Sequence, residues 1–382
     1  MKVIIAPDSF KGSLTAIKVA KSIEKGIKRV DANIETVIVP MADGGEGTVQ
    51  SLIAMSEGVM VEVMVHDPLS RPFNSFYGIM GDGKTAVIEM AAASGLELLK
   101  NDERNVLNTS TFGTGELIKH ALDRGCTEII IGLGGSATND GGTGMAQALG
   151  VRFLDEKGKE QNMCGAELIN IHSVDMSGLD TRVKGLNIIA ACDVDNPLCG
   201  INGASNVYGR QKGASDADVQ TLNKGLIHFS DLMKSYTGLD FSEYPGAGAA
   251  GGLGYGVMCF LGAKLESGIE IIMRETKFAD TVVGADLVFT GEGRIDSQTA
   301  FGKTPFGVAQ VAKQNNIPVI AIAGSLGIGY QELYNNGFDG IFSIIDKPTT
   351  LDDAITNAEE LIENIAESII RIIIAAPKTI IL

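Results

Sequence analysis

Four glycine-rich stretches of the chain carry carboxylates, a pairing with few chemical uses. They are Asp8-Ser9-Phe10-Lys11-Gly12-Ser13, Ala42-Asp43-Gly44-Gly45-Glu46-Gly47-Thr48, Gly132-Leu133-Gly134-Gly135-Ser136-Ala137-Thr138-Asn139-Asp140-Gly141-Gly142 and Gly291-Glu292-Gly293-Arg294-Ile295-Asp296. A glycine beside a helix start lets bare backbone N–H groups face a ligand, and the helix dipole adds attraction for negative charge. Phosphate is the natural occupant. Carboxylates at the same edge would repel it unless a divalent cation sits between them. Together with the isolated Lys11, Lys212 and Lys303, the pattern points to magnesium–nucleotide chemistry, in which one or two carboxylates and the phosphate oxygens share the ion. Asp193 follows the apolar run LNIIAAC, so it belongs at the carboxyl end of a strand, partly desolvated. There it could accept a hydroxyl proton or ligate a metal, although a turn would also use an aspartate.

Each residue also has a plainer use. Asp43 and Glu46 suit a helix cap, Asp8 a Pro-Asp-Ser turn and Asp140 an Asx turn. His66, His120, His172 and His228 lie outside the glycine stretches, where packing is the expected role. Ser136 has no histidine nearby and is not in G-x-S-x-G, which argues against a hydrolase nucleophile. Gly246-Ala247-Gly248-Ala249-Ala250-Gly251 fits G-x-G-x-x-G but follows no clear strand. Phe301-Gly302-Lys303-Thr304 looks like the tail of a P-loop, but the first glycine of that motif falls at Ser297.

The elements that must position these residues alternate between short β-rich runs and helix-length amphipathic segments at both chain ends, the mark of a parallel α/β sheet. KVIIAP, a helix from about Thr15 to Val30, ETVIVP and a helix starting near Gly45 open the series. ADLVFT, a helix over Thr304 to Asn315, IPVIAIAG, a helix near Tyr330, FDGIFSII and a closing helix from Leu351 to about Ile373 complete it. Between them, VEVMVHD, FNSFYGIM and TAVIEM, parted by Pro68, Pro72 and a Gly-Asp-Gly turn, predict an antiparallel meander. A helix over Gly113 to Arg124, the runs EIIIGL and LNIIAACD, and a helix from Ser215 to about Tyr236 follow. The expected fold is α/β, a Rossmann-like doubly wound parallel sheet domain (1–64 and 282–382) with a second α/β domain (65–281) inserted into it. Doubly wound sheets bind ligands at the carboxyl ends of their strands, which is where the stretches after Ile5, Ile38 and Thr290 should fall.

Composition narrows the class. The chain has 382 residues, more than one core usually organises. Hydrophobic residues at 45% and charged residues at 20% describe a folded globular protein, and a net charge of −16 disfavours nucleic acid and anionic membranes as partners. The five cysteines, odd in number and scattered, read as reduced thiols, and MKVIIAPDSF is too short in apolar residues for a signal sequence, so a cytoplasmic protein is expected. The apolar C-terminal run SIIRIIIAAPKTIIL is interrupted by Arg371 and Lys378 and reads as a core helix with a tail.

Six segments are more specific together than singly: PDSFKGSLTA (Pro7–Ala16), PMADGGEGT (Pro40–Thr48), GLGGSATNDGGTGM (Gly132–Met145), ACDVDNPLCG (Ala191–Gly200), GAGAAGGLGYG (Gly246–Gly256) and TGEGRIDSQTAFGKTP (Thr290–Pro305). In this order, across essentially the whole chain, they resemble the bacterial glycerate kinase family. The resemblance implies ATP-dependent phosphorylation of D-glycerate with Mg²⁺, leaning to the 2-phosphoglycerate product, at a site in the cleft between two α/β domains. On that reading Asp193 orients or deprotonates the acceptor hydroxyl, and Lys11 and Lys212 neutralise phosphate charge. Asp43, Glu292 and Asp296 would form the Mg²⁺ shell. Substrate or phosphate would lie against Asp8, Ser9, Gly44, Gly45, Gly134, Gly135, Ser136, Asn139, Gly291, Gly293 and Arg294. One position departs from the family pattern: Arg210 stands where proline is expected, before Gln211-Lys212-Gly213, which loosens the backbone and adds a donor near Lys212. A kinase of another small hydroxy acid and a sensor that binds a phosphorylated metabolite without turnover are the alternatives. Both a monomer and a homodimer fit the sequence.

Overall fold

The computed structural model describes residues 1–300 and 302–375. Phe301 of the P-loop-like segment and the C-terminal tail 376–382 lie outside the described residues. The chain divides into two compact units, the first formed by Met1–Asp43 and the chain from Ile269 onward, the second by Gly44–Gly268. The expected boundaries at 64/65 and 281/282 are thus displaced. Strand Val59–His66 pairs along its whole length with Pro72–Ile79, and those hydrogen bonds commit it to the second unit. At the other end Ile269 packs beside Gly307 of helix Thr304–Gln314, which holds it in the first.

The first unit contains a five-stranded sheet in which every neighbouring pair is parallel. Counting its strands Lys2–Ile5, Glu35–Ile38, Leu287–Ile295, Val319–Leu326 and Gly340–Ser343 as one to five, the order across the sheet is 2-1-3-4-5. Such strands are covered on both faces, which is why KVII, LVFT and VIAIA are continuously apolar. On one face Val3, Ile5, Leu287, Phe289, Ile320 and Ile322 meet Val19, Ile23 and Ile27 of helix Ala16–Val30 and Ile362, Ala366 and Ile369 of helix Ala358–Ala375. Thr15 starts the first helix by accepting from the Lys18 N–H. Gly26 lets the two helices touch, since a Cβ there would overlap the Glu363 carbonyl and lie 2.9 Å from the Ala366 Cβ. The expected closing helix is broken at Asn357, and the segment at Tyr330 is a 3₁₀ turn, Tyr330–Asn336.

The second unit holds a six-stranded sheet. Val59–His66, Pro72–Ile79 and Thr85–Glu89 form the antiparallel meander, and Glu128–Gly132, Asn187–Ala191 and Lys264–Glu266 extend it in parallel. Helix Ala249–Leu261 is apolar all round and buried almost throughout. Its entrance is the G-x-G-x-x-G segment, where Ala250, Gly251 and Gly252 take left-handed backbone angles. The glycines there admit other backbone: a Cβ on Gly252 would lie 2.9 Å from the Gly141 Cα, and one on Gly256 would lie 2.8 Å from the Gly142 Cα. They are packing glycines beneath the Gly132–Gly142 loop, with no room for a dinucleotide.

Among the described residues no helix is long and apolar enough to cross a membrane. All five cysteines are free thiols. Three histidines are used in packing and hydrogen bonding: His66 with Glu116, His120 with the Tyr77 hydroxyl and His228 with the Ile171 carbonyl.

Candidate functional site

In a 2-1-3-4-5 sheet the winding direction reverses between strands one and three, and ligands bind outside the carboxyl ends at that switch point. Here the two strands are Lys2–Ile5 and Leu287–Ile295. Asp8 follows the first and donates its backbone N–H to the Gly291 carbonyl at 2.8 Å. Its carboxylate accepts from the Ser9 N–H at 2.6 Å and from the Thr304 hydroxyl at 2.7 Å. Burial, then the charge of Asp43 and more weakly that of Glu292, push its carboxyl up to about 7 against those bonds. The Glu292 carboxyl is also raised, by burial first and with a contribution from Asp43, although it accepts from the Thr299 hydroxyl at 2.7 Å and pairs with Lys303 at 3.5 Å. Asp8, Asp43 and Glu292 therefore crowd one another with negative charge at the switch point.

The stretch Gly291–Ile295 was expected to be a loop. It is strand, because pairing with Val319–Leu326 continues through Glu292 to Ala323 and Arg294 to Ser325. The period of two places Glu292 and Arg294 on one face. Gly291 and Gly293 lie on the other, packed under Ile322 and the Phe10–Lys11 backbone respectively. Arg294 turns to Asp296, which also accepts from the Gln298 N–H, so Asp296 is held by these groups while Asp43 stands with Asp8 and Glu292. Arg294, Asp296, Ser297, Gln298, Lys303 and Ile328 line an open hollow of ≈ 490 Å³. Lys11 is exposed on the loop after Asp8.

The second unit builds a different edge. Gly44 and Gly45 were expected beside Asp43 at the first sheet, but they lie against the carboxyl ends of the second sheet's strands. A Cβ on Gly132 would overlap the Gly44 carbonyl, one on Gly134 would lie 3.1 Å from the Gly45 Cα, and one on Gly44, whose φ is +84°, would lie 2.5 Å from the Ala191 Cβ. Helix Thr48–Ser56 follows, with Gly47 at its N-cap position in place of Asp43 or Glu46. Its first turn is held by Glu89, at the end of strand Thr85–Glu89: the Val49 N–H donates to Glu89 at 2.9 Å, and the Gly47 and Thr48 N–H groups face the same carboxylate. Sequence reading missed Glu89, whose one local clue is a carboxylate ending the apolar run TAVIE.

Beneath the exposed Gly134 and Gly135 lies Lys212, which is 3% exposed and donates to the Ser136 hydroxyl and the Thr138 carbonyl, both at 2.7 Å. Burial draws its ammonium down to about 7, opposed by the charge of Asp140. Asp140 is fully buried and pins the loop by accepting from the Thr111 N–H and hydroxyl and from the N–H groups of Gly142 and Gly144. Asn139, expected at the ligand, is fully buried with its amide donating to the Ser205 hydroxyl. Asp193 does sit at the end of strand Asn187–Ala191 as expected, but it is exposed instead of desolvated, and its carboxylate accepts from the Ser267 hydroxyl and the Gly268 N–H, both at 3.0 Å. Arg210 points its guanidinium at Asp216 and the Asn206 carbonyl, away from the duty expected of Lys212.

Among the described residues no group of three or more His, Cys, Asp or Glu side chains is arranged to hold a metal ion by itself. An ion at the first edge would take most of its oxygens from another source, such as phosphate and water.

The chain matches the glycerate kinase family over residues 3–374. It is 51% identical over 369 residues to a glycerate kinase of Bacillus subtilis strain 168, covering 97% of each chain. It is 50% identical over 358 residues to a glycerate 2-kinase of Escherichia coli K12, covering 94% of each. Its structure is similar to one described as a glycerate kinase 2 from Salmonella typhimurium LT2, with a TM-score of 0.89, 47% identity and 98% of each chain covered. Motifs, topology and whole-length similarity agree, and the chain belongs to the glycerate kinase family.

Proposed function

We propose that this chain transfers the γ-phosphoryl group of ATP to the 2-hydroxyl of D-glycerate. The observation that carries the reading is the trio Asp8, Asp43 and Glu292 at the switch point, mutually repelling carboxylates that suit a cation-bound polyphosphate better than a bare anion. The relatives' names support the acceptor, and the name of the E. coli relative supports the 2-position.

Asp43 and Glu292 would hold Mg²⁺ together with triphosphate oxygens. When bound, the ion would offset charge on the phosphates during transfer. Lys303 and Lys11 would serve phosphate oxygens. In the second unit the exposed Gly134 and Gly135 backbone would receive the glycerate carboxylate above the buried Lys212–Ser136 pair. Asp193, oriented by Ser267 and Gly268, would take the hydroxyl proton as the acceptor oxygen bonds to phosphorus and the bond to the β–γ bridging oxygen breaks, releasing ADP. Phosphoryl transfer asks a protein mainly for placement and charge.

NMR of the product after incubation with D-glycerate and Mg-ATP tests activity and position together. A phosphorus signal split by the single proton on C2 is expected. Splitting by the pair of protons on C3 would overturn the position, phosphorylation only of other hydroxy acids would overturn the acceptor, and stoichiometric binding without ADP would favour the sensor.

A further inference from the structure

The carboxylate of Glu89 is 6% exposed, yet it belongs to neither proposed chemical step. It terminates strand Thr85–Glu89, and its register partner on the next strand is Gly132. Its side chain leaves the sheet edge, accepts from the Val49 N–H at 2.9 Å and faces the neighbouring N–H groups of Gly47 and Thr48. Just upstream, Gly44 and Gly45 run across Gly132 and Gly134 so closely that neither Gly132 nor Gly134 could carry a side chain without displacing that backbone. Glu46 also faces Glu89, and its charge opposes it. The Gly44–Thr48 turn is therefore clamped at one end by glycine backbone contacts and at the other by this one carboxylate. The N-cap residue of the helix that follows, Gly47, has no side chain to cap it.

The geometry points to Glu89 as a positioning residue: by holding the amides at 47–49 it fixes the Gly44–Gly45 backbone against Gly132–Gly134, and so sets the shape of the glycine surface that receives the acceptor's carboxylate. This rests on the proposed use of that surface for glycerate. A carboxylate can accept from three N–H groups at once, whereas a carboxamide turns an NH₂ donor toward donors. Loss of such a charge-assisted bond in a buried place is felt about tenfold or more.

The test uses the full chain with Glu89→Gln and Glu89→Asp. For Glu89→Gln, KM for D-glycerate should rise about tenfold while KM for ATP and kcat change less than about threefold, and hydrogen exchange at the amides of 47–49 should accelerate by a similar factor. Glu89→Asp keeps the charge and should recover part of both. A lowered Tm with unchanged KM for glycerate would reduce Glu89 to a stabilising cap and overturn the proposal, as would unchanged amide exchange. If the parent chain phosphorylates no hydroxy acid, the kinase reading fails separately, and the exchange measurement still decides whether Glu89 holds the turn.

Discussion

The two sheet edges solve opposite electrostatic problems with the same architecture of parallel strands ending in glycine-rich turns. At the first, Asp8, Asp43 and Glu292 repel one another, while Lys303 and the Thr299 hydroxyl meet Glu292 and the Thr304 hydroxyl meets Asp8. At the second, the buried charges are Lys212, Asp140 and Glu89, and each is met by backbone or hydroxyl partners within its own unit. An edge whose acids crowd one another gains from a cationic ligand. One whose charges are internally satisfied presents a fixed surface instead, and its specificity comes from shape.

The sharpest way to break that comparison is to remove Lys212. Lys212→Met keeps the volume but strips the donor from Ser136 and Thr138, and should lower kcat/KM by about 10³-fold in a coupled ADP assay, on the scale of losing a preorganised donor. Stability should respond in a way set by pH. The folded ammonium lies near 7 and the ordinary value is 10.5, so between those values the unfolded chain holds a proton that the native state does not. The parent's stability therefore rises with pH across that window, by up to about 1.4 kcal/mol per pH unit, and is lost as pH falls through about 7. Denaturant unfolding of Lys212→Met should show a flatter dependence. Equal slopes in the two proteins would mean that the lysine is not kept from water as the structure has it.

Asp43→Asn attacks the other edge with a smaller effect. Asp43 is a cause of the upward shift in both Asp8 and Glu292. Its neutralisation should let the Asp8 carboxyl fall from about 7 part of the way toward 3.8, burial remaining, which carboxyl ¹³C titration can follow. Relief of repulsion should raise Tm by roughly 2 °C while activity drops about 10²-fold with a higher demand for Mg²⁺. A variant that is less stable and equally active would show that the trio is not strained.

The features legible in the sequence were those with local periodicity. Strands such as KVII and LVFT, the helix over 16–30 and the meander from Val59 all announce themselves through runs, caps and turns. Strand-end placement of Asp8 and Asp193 followed from the same logic. Hidden features depend on where the chain passes from one unit to the other. Asp43 and Gly44 are adjacent, yet they serve different sheets, and no residue between them marks the change. Lys212 and Ser136 are 76 residues apart, and Glu89 and Val49 are 40 apart, so neither pairing leaves a spacing signal. The extension of strand Leu287–Ile295 through GEGR was obscured because glycines flanking a carboxylate read as a turn, while the pairing with Ser325 and Leu326 overrode that preference.

The mildest test concerns Arg210, the one departure from the family pattern. In sequence it threatened to add a donor beside Lys212. In the structure the short turn Arg210–Lys212 sends the two side chains to opposite fates, Lys212 inward to Ser136 and Arg210 outward to Asp216 at 2.8 Å and the Asn206 carbonyl at 3.2 Å. Both partners of the Arg210–Asp216 pair are exposed, so solvent screens it and the expected worth is at most about 0.5 kcal/mol. Arg210→Ala should leave kcat/KM unaltered, and its small loss of stability should vanish in high salt. A tenfold fall in kcat/KM would place the guanidinium in the chemistry of the second edge, and the account of that edge as shaped by backbone and a single buried lysine would have to give way.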